Sequence, residues 1–413
     1  IMSSDWSSDV CSSDLFEIKE ALVTYQREFP DGVIFDASQG DGGASLPGVP
    51  AEILDEAHRL QCEHGTGYDK PFGTQMFRQA VVEEYWQLDA STGWGPANVI
   101  ACQGGRDALL KAYDAASFLG HGRRGDFVVT SRVPWISYNW GPYAVGANVM
   151  LAPGEESAAW GLTAEGLGAC VAAAERLDRR VAMVVLTSPD NPTGRTLTED
   201  RQLELVRTAL ASGAAYVLLD WIYHRVTDGE AHDLSRFLLL LEPEERERCI
   251  FLDGITKSLG ASNIRNAHLV ASEKVVRFIS SRASHGVIPS FHSQAVAIAA
   301  YRRGFDAAAR DIIEPTAASR RALRAWLEEK RIRHVIGDGY YAFIDVGPWL
   351  DHAGSHDSAE LGSLLAERFG VAVVPGVYFS QHGRRWVRFS YALPPEITLA
   401  AADRLWEGLE SLR

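Results

Sequence analysis

Seven short apolar runs, interleaved with helix-like stretches, limit what this chain can fold into. They fall at residues 98–102, 126–130, 147–151, 181–186, 215–219, 249–252 and 267–271. A run such as Val181-Ala182-Met183-Val184-Val185-Leu186 lacks the polar alternation of a strand with one wet face. Strands of that kind are buried on both faces. Helical stretches at 106–118, 163–176 and 199–212 separate several of them. This pattern predicts an α/β fold with a seven-stranded, mostly parallel sheet between helices. In such sheets ligands sit beyond the carboxyl ends of the strands. Chemically capable residues cluster there: Gly104 after the first run, Asn191 after the fourth, Asp220 closing the fifth and Lys257 after the sixth.

With 413 residues the chain exceeds what one core ordinarily holds, so two domains are expected. A helical stretch at 310–331 leads into a second, smaller α+β unit. Its strands are expected near 334–336, 341–345, 371–374 and 387–391, and its helices at 358–369 and 395–412. The expected division is a large domain over 51–305 and a small domain over 306–413, with an arm at 15–50 that joins the small domain. The arm reads as a helix at 16–29 and a strand at 33–35. Residues 1–14 carry Ser-Ser-Asp three times, a low-complexity repeat that cannot build a core. They resemble translated adapter read-through and are set aside as a non-native or disordered tail.

The net charge of -14 argues against a nucleic-acid or anionic-membrane surface. The five cysteines are scattered and form no CxxC pair, which predicts a reducing compartment and no metal site. No apolar run reaches the ~18 residues of a membrane span, and no basic-then-apolar leader pattern is present. A cytoplasmic location is expected.

Lys257 is followed by Ser258, Gly260, Ala261 and Ser262, small residues that let a bulky group approach the backbone. Arg265 lies eight residues on. A lysine to form an imine and an arginine to hold a phosphate is the pairing that pyridoxal phosphate needs. Taken alone, Lys257 reads better as a surface lysine at a strand end. Gln103-Gly104-Gly105-Arg106 stands at a strand-to-helix turn, where free amides and the helix N-terminus favour an anion. Asp220 closes an apolar strand, and a buried carboxylate without a partner is costly.

These motifs, in this order, resemble the class I/II aminotransferases of the fold-type I pyridoxal-phosphate group, nearest to the aspartate/prephenate type. The resemblance runs from Val33 to the C-terminus. It implies an aminotransferase that moves an amino group from an L-amino acid to a 2-oxo acid through a Lys257 Schiff base. Gly104, Gly105, Arg106 and Arg265 would cradle the cofactor phosphate, and Trp135 would stack on the ring. Asn191, in SPDNPTG, and Tyr223, in Asp-x-x-Tyr, would share the phenolic oxygen. Asp220 would pair with the pyridine nitrogen. Gly40, Asn191 and Arg388 would meet the substrate α-carboxylate. Tyr68, with Gly73 and Arg78, matches the family's Tyr-x4-Gly-x4-Arg, in which the tyrosine reaches the partner subunit's phosphate; a homodimer is implied.

The chain departs from the family in three stretches. Asn263-Ile264-Arg265-Asn266-Ala267 stands where Gly-x-Arg-x-Gly is usual; asparagine can supply the left-handed backbone that glycine would. Trp221 replaces a frequent acidic residue. Arg106 replaces the lysine that meets a distal carboxylate, and is either its substitute or a helix-surface arginine. The Asn266 and Ala267 departures keep open a second reading, a lyase, cyclase or decarboxylase using the same cofactor. A nicotinamide dehydrogenase is disfavoured, because the 103–108 turn lacks the GxGxxG spacing.

Overall fold

A computed structural model describes residues 14–283 and 287–413. The repeat at 1–13 lies outside these residues, as does part of the helix break expected at 286–289. Asp14 opens the first helix, Asp14–Glu28.

Among the described residues the strands are β1 (Phe35–Asp36), β2 (Val99–Cys102), β3 (Phe127–Thr130), β4 (Asn148–Leu151), β5 (Val181–Thr187), β6 (Tyr216–Asp220), β7 (Cys249–Asp253) and β8 (Ala267–Ala271). They continue with β9 (His334–Ile336), β10 (Tyr341–Asp345), β11 (Val371–Ala372), β12 (Val374–Pro375) and β13 (Trp386–Ser390). Seven form one sheet in the order β2-β8-β7-β6-β5-β3-β4. The pairs from β7 through to β4 are parallel, whereas β8 runs antiparallel to both neighbours. The reason lies in the connection. Residues 254–266 form turns rather than a crossover helix, so the chain returns in the opposite sense. That connection carries Lys257.

Both faces of the sheet are covered, as the apolar runs require. Helix Gly105–Gly120 packs on one face through Ala108, Leu109, Ala112 and Ala116. Helices Ala164–Arg176, Glu199–Ala211 and Phe291–Arg302 cover the other, through residues such as Leu167, Val206 and Val296. The four residues of β2 and β3 and the five of β6, β7 and β8 are all buried. β4, at the sheet edge, is only partly buried.

Helix Phe305–Glu329 leads into the second unit. There β12-β13-β10-β9 form an antiparallel sheet, and β1 pairs with β11 in parallel. Leu323, Trp326, Ile344, Leu361, Val387 and Leu405 form its core, together with Phe35 and Ala37 from the N-terminal arm. The run at 371–374, expected as one strand, is two. β11 pairs with β1 and β12 with β13, so the chain changes sheets at Val373. An unbroken apolar run carries no mark of that step.

The SPDNPTG turn seats on β10 through Gly194. Its φ of +71° is left-handed, and a Cβ there would lie 2.1 Å from the Tyr341 carbonyl oxygen. Gly194→Ala therefore combines a disfavoured backbone with a clash. It should lower unfolding stability by about 2–4 kcal/mol, read as a depressed thermal midpoint. Gly229→Ala, at an exposed position where a Cβ would meet only Thr227 Oγ1 at an ordinary 3.7 Å, should change it by less than about 0.5 kcal/mol.

Candidate active site

Lys257 lies on the turn after β7, half-buried beneath the glycine loop at 40–43. Its Nζ donates to the Gly40 carbonyl oxygen at 2.5 Å. The Tyr340 hydroxyl donates to the Lys257 carbonyl oxygen. The close approach depends on glycine. A Cβ on Gly40 would lie 1.9 Å from the Tyr341 hydroxyl, and one on Gly43 would lie 2.0 Å from the Gly260 carbonyl oxygen. Burial lowers the Lys257 pKa below the ordinary lysine range. Tyr341 and Asp41 oppose the shift, and Arg388 and Arg106 add to it. A lowered pKa leaves more of the amine free to act as a nucleophile near neutral pH.

Gly104 and Arg265 meet at a candidate anion cradle. Gly104 has φ +80°, and a Cβ there would lie 2.4 Å from Arg265 Nη2. Helix Gly105–Gly120 starts at this point, and its first amides have no intrahelical acceptors. The Arg265 guanidinium is pinned by backbone: Nη1 donates to Ser262 O at 2.8 Å and Nη2 to Gln103 O at 3.3 Å. The expectation that an asparagine supplies the left-handed turn is corrected here. Arg265 itself has φ +58°, and neither Asn263 nor Asn266 has a positive φ. The two backbone bonds and the gap over Gly104 hold the arginine in that conformation. Asn266 is fully buried, and neither side-chain polar atom has a partner among the described residues.

Asp220 ends β6 and is buried. Oδ2 accepts from the Tyr138 hydroxyl at 2.8 Å and Oδ1 from the Ile222 amide at 3.1 Å. Burial pushes its pKa up to about 6, against the pull of those two bonds. Tyr138 was missed by the sequence reading. The available signal was its spacing, three residues after Trp135, which places it one turn along the short helix Ile136–Trp140. The Trp135 and Tyr138 rings meet edge to face at 5.4 Å. Trp135 is half-buried, with the Arg106 guanidinium 5.6 Å from its ring centre. Gly105 and Arg106 form the first turn of the helix, and Arg106 is exposed. It makes no hydrogen bond or ion pair among the described residues.

Asn191 and Arg388 meet directly. Arg388 Nη1 donates to Asn191 Oδ1 at 2.9 Å and Nη2 to Ser38 O at 2.6 Å. Arg388 is buried within β13, so it is not the solvated arginine a short strand would suggest. Its Nε has no partner among the described residues, which leaves a buried, charged donor for a ligand. The guanidinium lies 4.2 Å from the Tyr341 ring centre. Tyr223 and Tyr341 share a hydrogen bond at 3.0 Å, and Lys257 Nζ stands 5.7 Å from the Tyr223 ring centre. Tyr341, too, was missed. Tyr68 stands apart from this cluster and is fully exposed. Trp221, which had no functional reading, is core: its Nε1 donates to Gln202 Oε1 at 2.8 Å.

The residues suit pyridoxal phosphate. An orphaned arginine donor, a buried carboxylate, a lysine with lowered pKa and a glycine–arginine anion cradle stand at one end of the sheet. The sequence model described as "Aminotransferase class I and II" matches residues 30–405. The chain is 26% identical to an aspartate aminotransferase of Geobacillus stearothermophilus over 381 residues, covering 89% of this chain and 91% of that one. It is 30% identical to a probable N-acetyl-LL-diaminopimelate aminotransferase of Bacillus subtilis over 240 residues, 55% of this chain and 54% of that one. Among solved structures it resembles an aspartate aminotransferase from Thermotoga maritima, with a TM-score of 0.80 at 22% identity over 98% of both chains. It also resembles one from Thermus thermophilus with maleate, with a TM-score of 0.80 at 21% identity over 97% of this chain and 98% of that one.

The raised Asp220 pKa has a stability consequence for the cofactor-free chain. A carboxyl raised to about 6 in the folded state destabilises folding once it must ionise. The penalty is absent below about pH 4 and complete above about pH 6. Asp220→Asn should therefore gain stability relative to the parent as pH rises through that window. The expected gain is about 2–3 kcal/mol, read by thermal unfolding of cofactor-free protein at pH 4 and pH 7.5. An equal difference at both pH values would contradict it.

Proposed function

The chain belongs to the class I and II aminotransferase family and is a pyridoxal-phosphate-dependent aminotransferase; on that premise we propose how its residues divide the work and which donor it takes. When bound, the cofactor supplies the electron sink that stabilises negative charge at the substrate α-carbon. Lys257 anchors it covalently, then takes and returns the proton at that carbon. Arg265, Gly104 and Gly105 hold the phosphate. Trp135 would stack on the ring and Asp220 would pair with the ring nitrogen, while Tyr138 keeps the Asp220 carboxylate in place. Asn191 and Tyr223 would donate to the phenolic oxygen. Arg388, fixed by Ser38 and Asn191, grips the α-carboxylate beside Gly40.

The donor we propose is an acidic L-amino acid. The supporting observation is the Arg106 guanidinium, held over Trp135 at 5.6 Å with no partner of its own among the described residues. It stands close enough to depress the Lys257 pKa, as does Arg388. Two arginines at one lysine suit a substrate with two carboxylates. The curated relative from Geobacillus stearothermophilus bears the name aspartate aminotransferase, in keeping with this choice.

A homodimer is also proposed. Tyr68, fully exposed in the single chain, is then free to reach a second copy's phosphate. Residues 15–50 and 306–413 are proposed as the small domain and 51–305 as the large one. In support, Phe35 and Ala37 pack in the same core as Leu361 and Leu405. The cytoplasm is the proposed location. Cys62, Cys102, Cys170 and Cys249 are unpaired, and no helix among the described residues is long and apolar enough to cross a membrane.

Two measurements test the reading. Purified protein loaded with pyridoxal phosphate should show the absorbance band of a lysine-bound cofactor. Lys257→Ala should lose that band and at least roughly 10³-fold in turnover; full turnover in that variant would overturn the assignment. In a panel of amino acids, aspartate or glutamate should convert the cofactor to its amine form fastest. Arg106→Ala should cut kcat/KM for the acidic donor by about 10- to 100-fold and leave an alanine donor within about twofold. Equal loss with both donors would remove the acidic-substrate proposal.

A further inference from the structure

Tyr341 touches three parts of the site at once: Tyr223, Arg388 and the Gly40 backbone. It opens β10, pairs in register with Ser390 of β13, and is buried. Its hydroxyl shares a hydrogen bond with Tyr223 at 3.0 Å. Its ring lies 4.2 Å from the Arg388 guanidinium. The Gly40 backbone, whose carbonyl receives Lys257 Nζ, is pressed so close to its hydroxyl that a side chain there would clash. We propose that Tyr341 is a positioning residue whose hydroxyl donates to Tyr223 and thereby directs the Tyr223 hydrogen onto the cofactor's phenolic oxygen, while its ring steadies Arg388. This rests on the roles proposed above for Tyr223 and Arg388.

The number of hydrogens fixes the direction of the bond. Each phenol has one hydrogen to donate and can accept others. Only one of the two hydrogens lies in the Tyr223–Tyr341 bond. When Tyr223 donates to a ligand, Tyr341 has to be the donor between them. Donation into Tyr223 polarises it and strengthens the bond it donates in turn. Burial, first, and the neighbouring Tyr341 phenol hold the Tyr223 pKa above the ordinary tyrosine range, so the hydrogen is there to donate. The charged and titratable groups around these phenols and Lys257 are Tyr340 just before β10, Arg388 on β13, Asp220 at the end of β6, Asp41 in the glycine loop and Arg106 at the start of helix Gly105–Gly120. Arg388 favours the ionised phenol, yet burial outweighs it.

A donor on the phenolic oxygen competes with the proton that the lysine-bound cofactor carries next to that oxygen. Weakening the donor lets the cofactor keep its proton to higher pH. Tyr341→Phe removes the hydroxyl and retains the ring. It should therefore raise the pH midpoint of the absorbance change of the lysine-bound cofactor, by roughly 0.2–0.6 of a unit. KM for the amino donor should stay within about twofold, because the ring still backs Arg388. Tyr341→Leu removes both, and should raise KM about tenfold as well as the midpoint.

The decisive arm is the double variant. In a Tyr223→Phe background the relay has no middle member, so adding Tyr341→Phe should move the midpoint no further. A merely structural role would shift the midpoint equally in both backgrounds, and that result overturns the proposal. A midpoint for Tyr341→Phe within about 0.1 of a unit of the parent overturns it too. If Tyr341→Leu does not fold, the two phenylalanine variants decide alone. A parent protein with no lysine-bound band at any pH defeats the proposed function, and this inference with it. A band that is present but indifferent to Tyr341→Phe defeats only the relay.

Discussion

The hydrogen bond from Lys257 Nζ to the Gly40 carbonyl joins segments 217 residues apart, and the site is assembled around it. One segment is the turn that leaves the carboxyl end of the central sheet. The other is a glycine loop carried by the arm whose apolar residues pack with the smaller unit. For the two to meet, Gly40 must fit under Tyr341 and Gly43 against Gly260. The contact removes the amine from water, and burial is the leading cause of its lowered pKa. Packing by residues without side chains thus sets the chemistry of the one that has the reactive side chain.

The surrounding charges are arranged so that a ligand completes them. Asp220 is a buried carboxyl with a raised pKa and only a phenol and an amide on it. Arg388 is a buried cation whose Nε has no partner among the described residues. Each is costly in isolation and each becomes favourable beside an opposite charge. By contrast, Asp253, four residues before Lys257, is already satisfied. It accepts from the His224 imidazole at 2.8 Å and from the Tyr85 hydroxyl. These partners hold its pKa below the usual carboxylate range although burial acts to raise it. His224 adjoins Tyr223 in sequence, so the pair ties the Tyr223 turn to the strand that delivers Lys257.

Much of this was legible in the sequence, for identifiable reasons. The helix Ser358–Phe369 and the strands β8, β9 and β10 fall at their expected residues, because period and composition agree there. Asp220 stood out because a carboxylate at the end of an apolar run contradicts its surroundings. Tyr138 and Tyr341 did not stand out. A tyrosine beside apolar residues reads as packing, and their partners, Asp220 and Tyr223, lie 82 and 118 residues away. The left-handed Arg265 was equally hidden. Residues other than glycine and asparagine seldom adopt that conformation, and the carbonyls that hold it come from Gln103 and Ser262.

The account stands or falls on which lysine carries the cofactor. Reducing the cofactor-loaded protein with borohydride would fix the adduct in place, and peptide mass mapping would locate it. The account predicts the pyridoxyl mass on the peptide containing Lys257 and on no other. A label on Lys111, the lysine on helix Gly105–Gly120 that instead pairs with Asp107 at 2.5 Å, or on any other lysine with Lys257 unmodified, would contradict it.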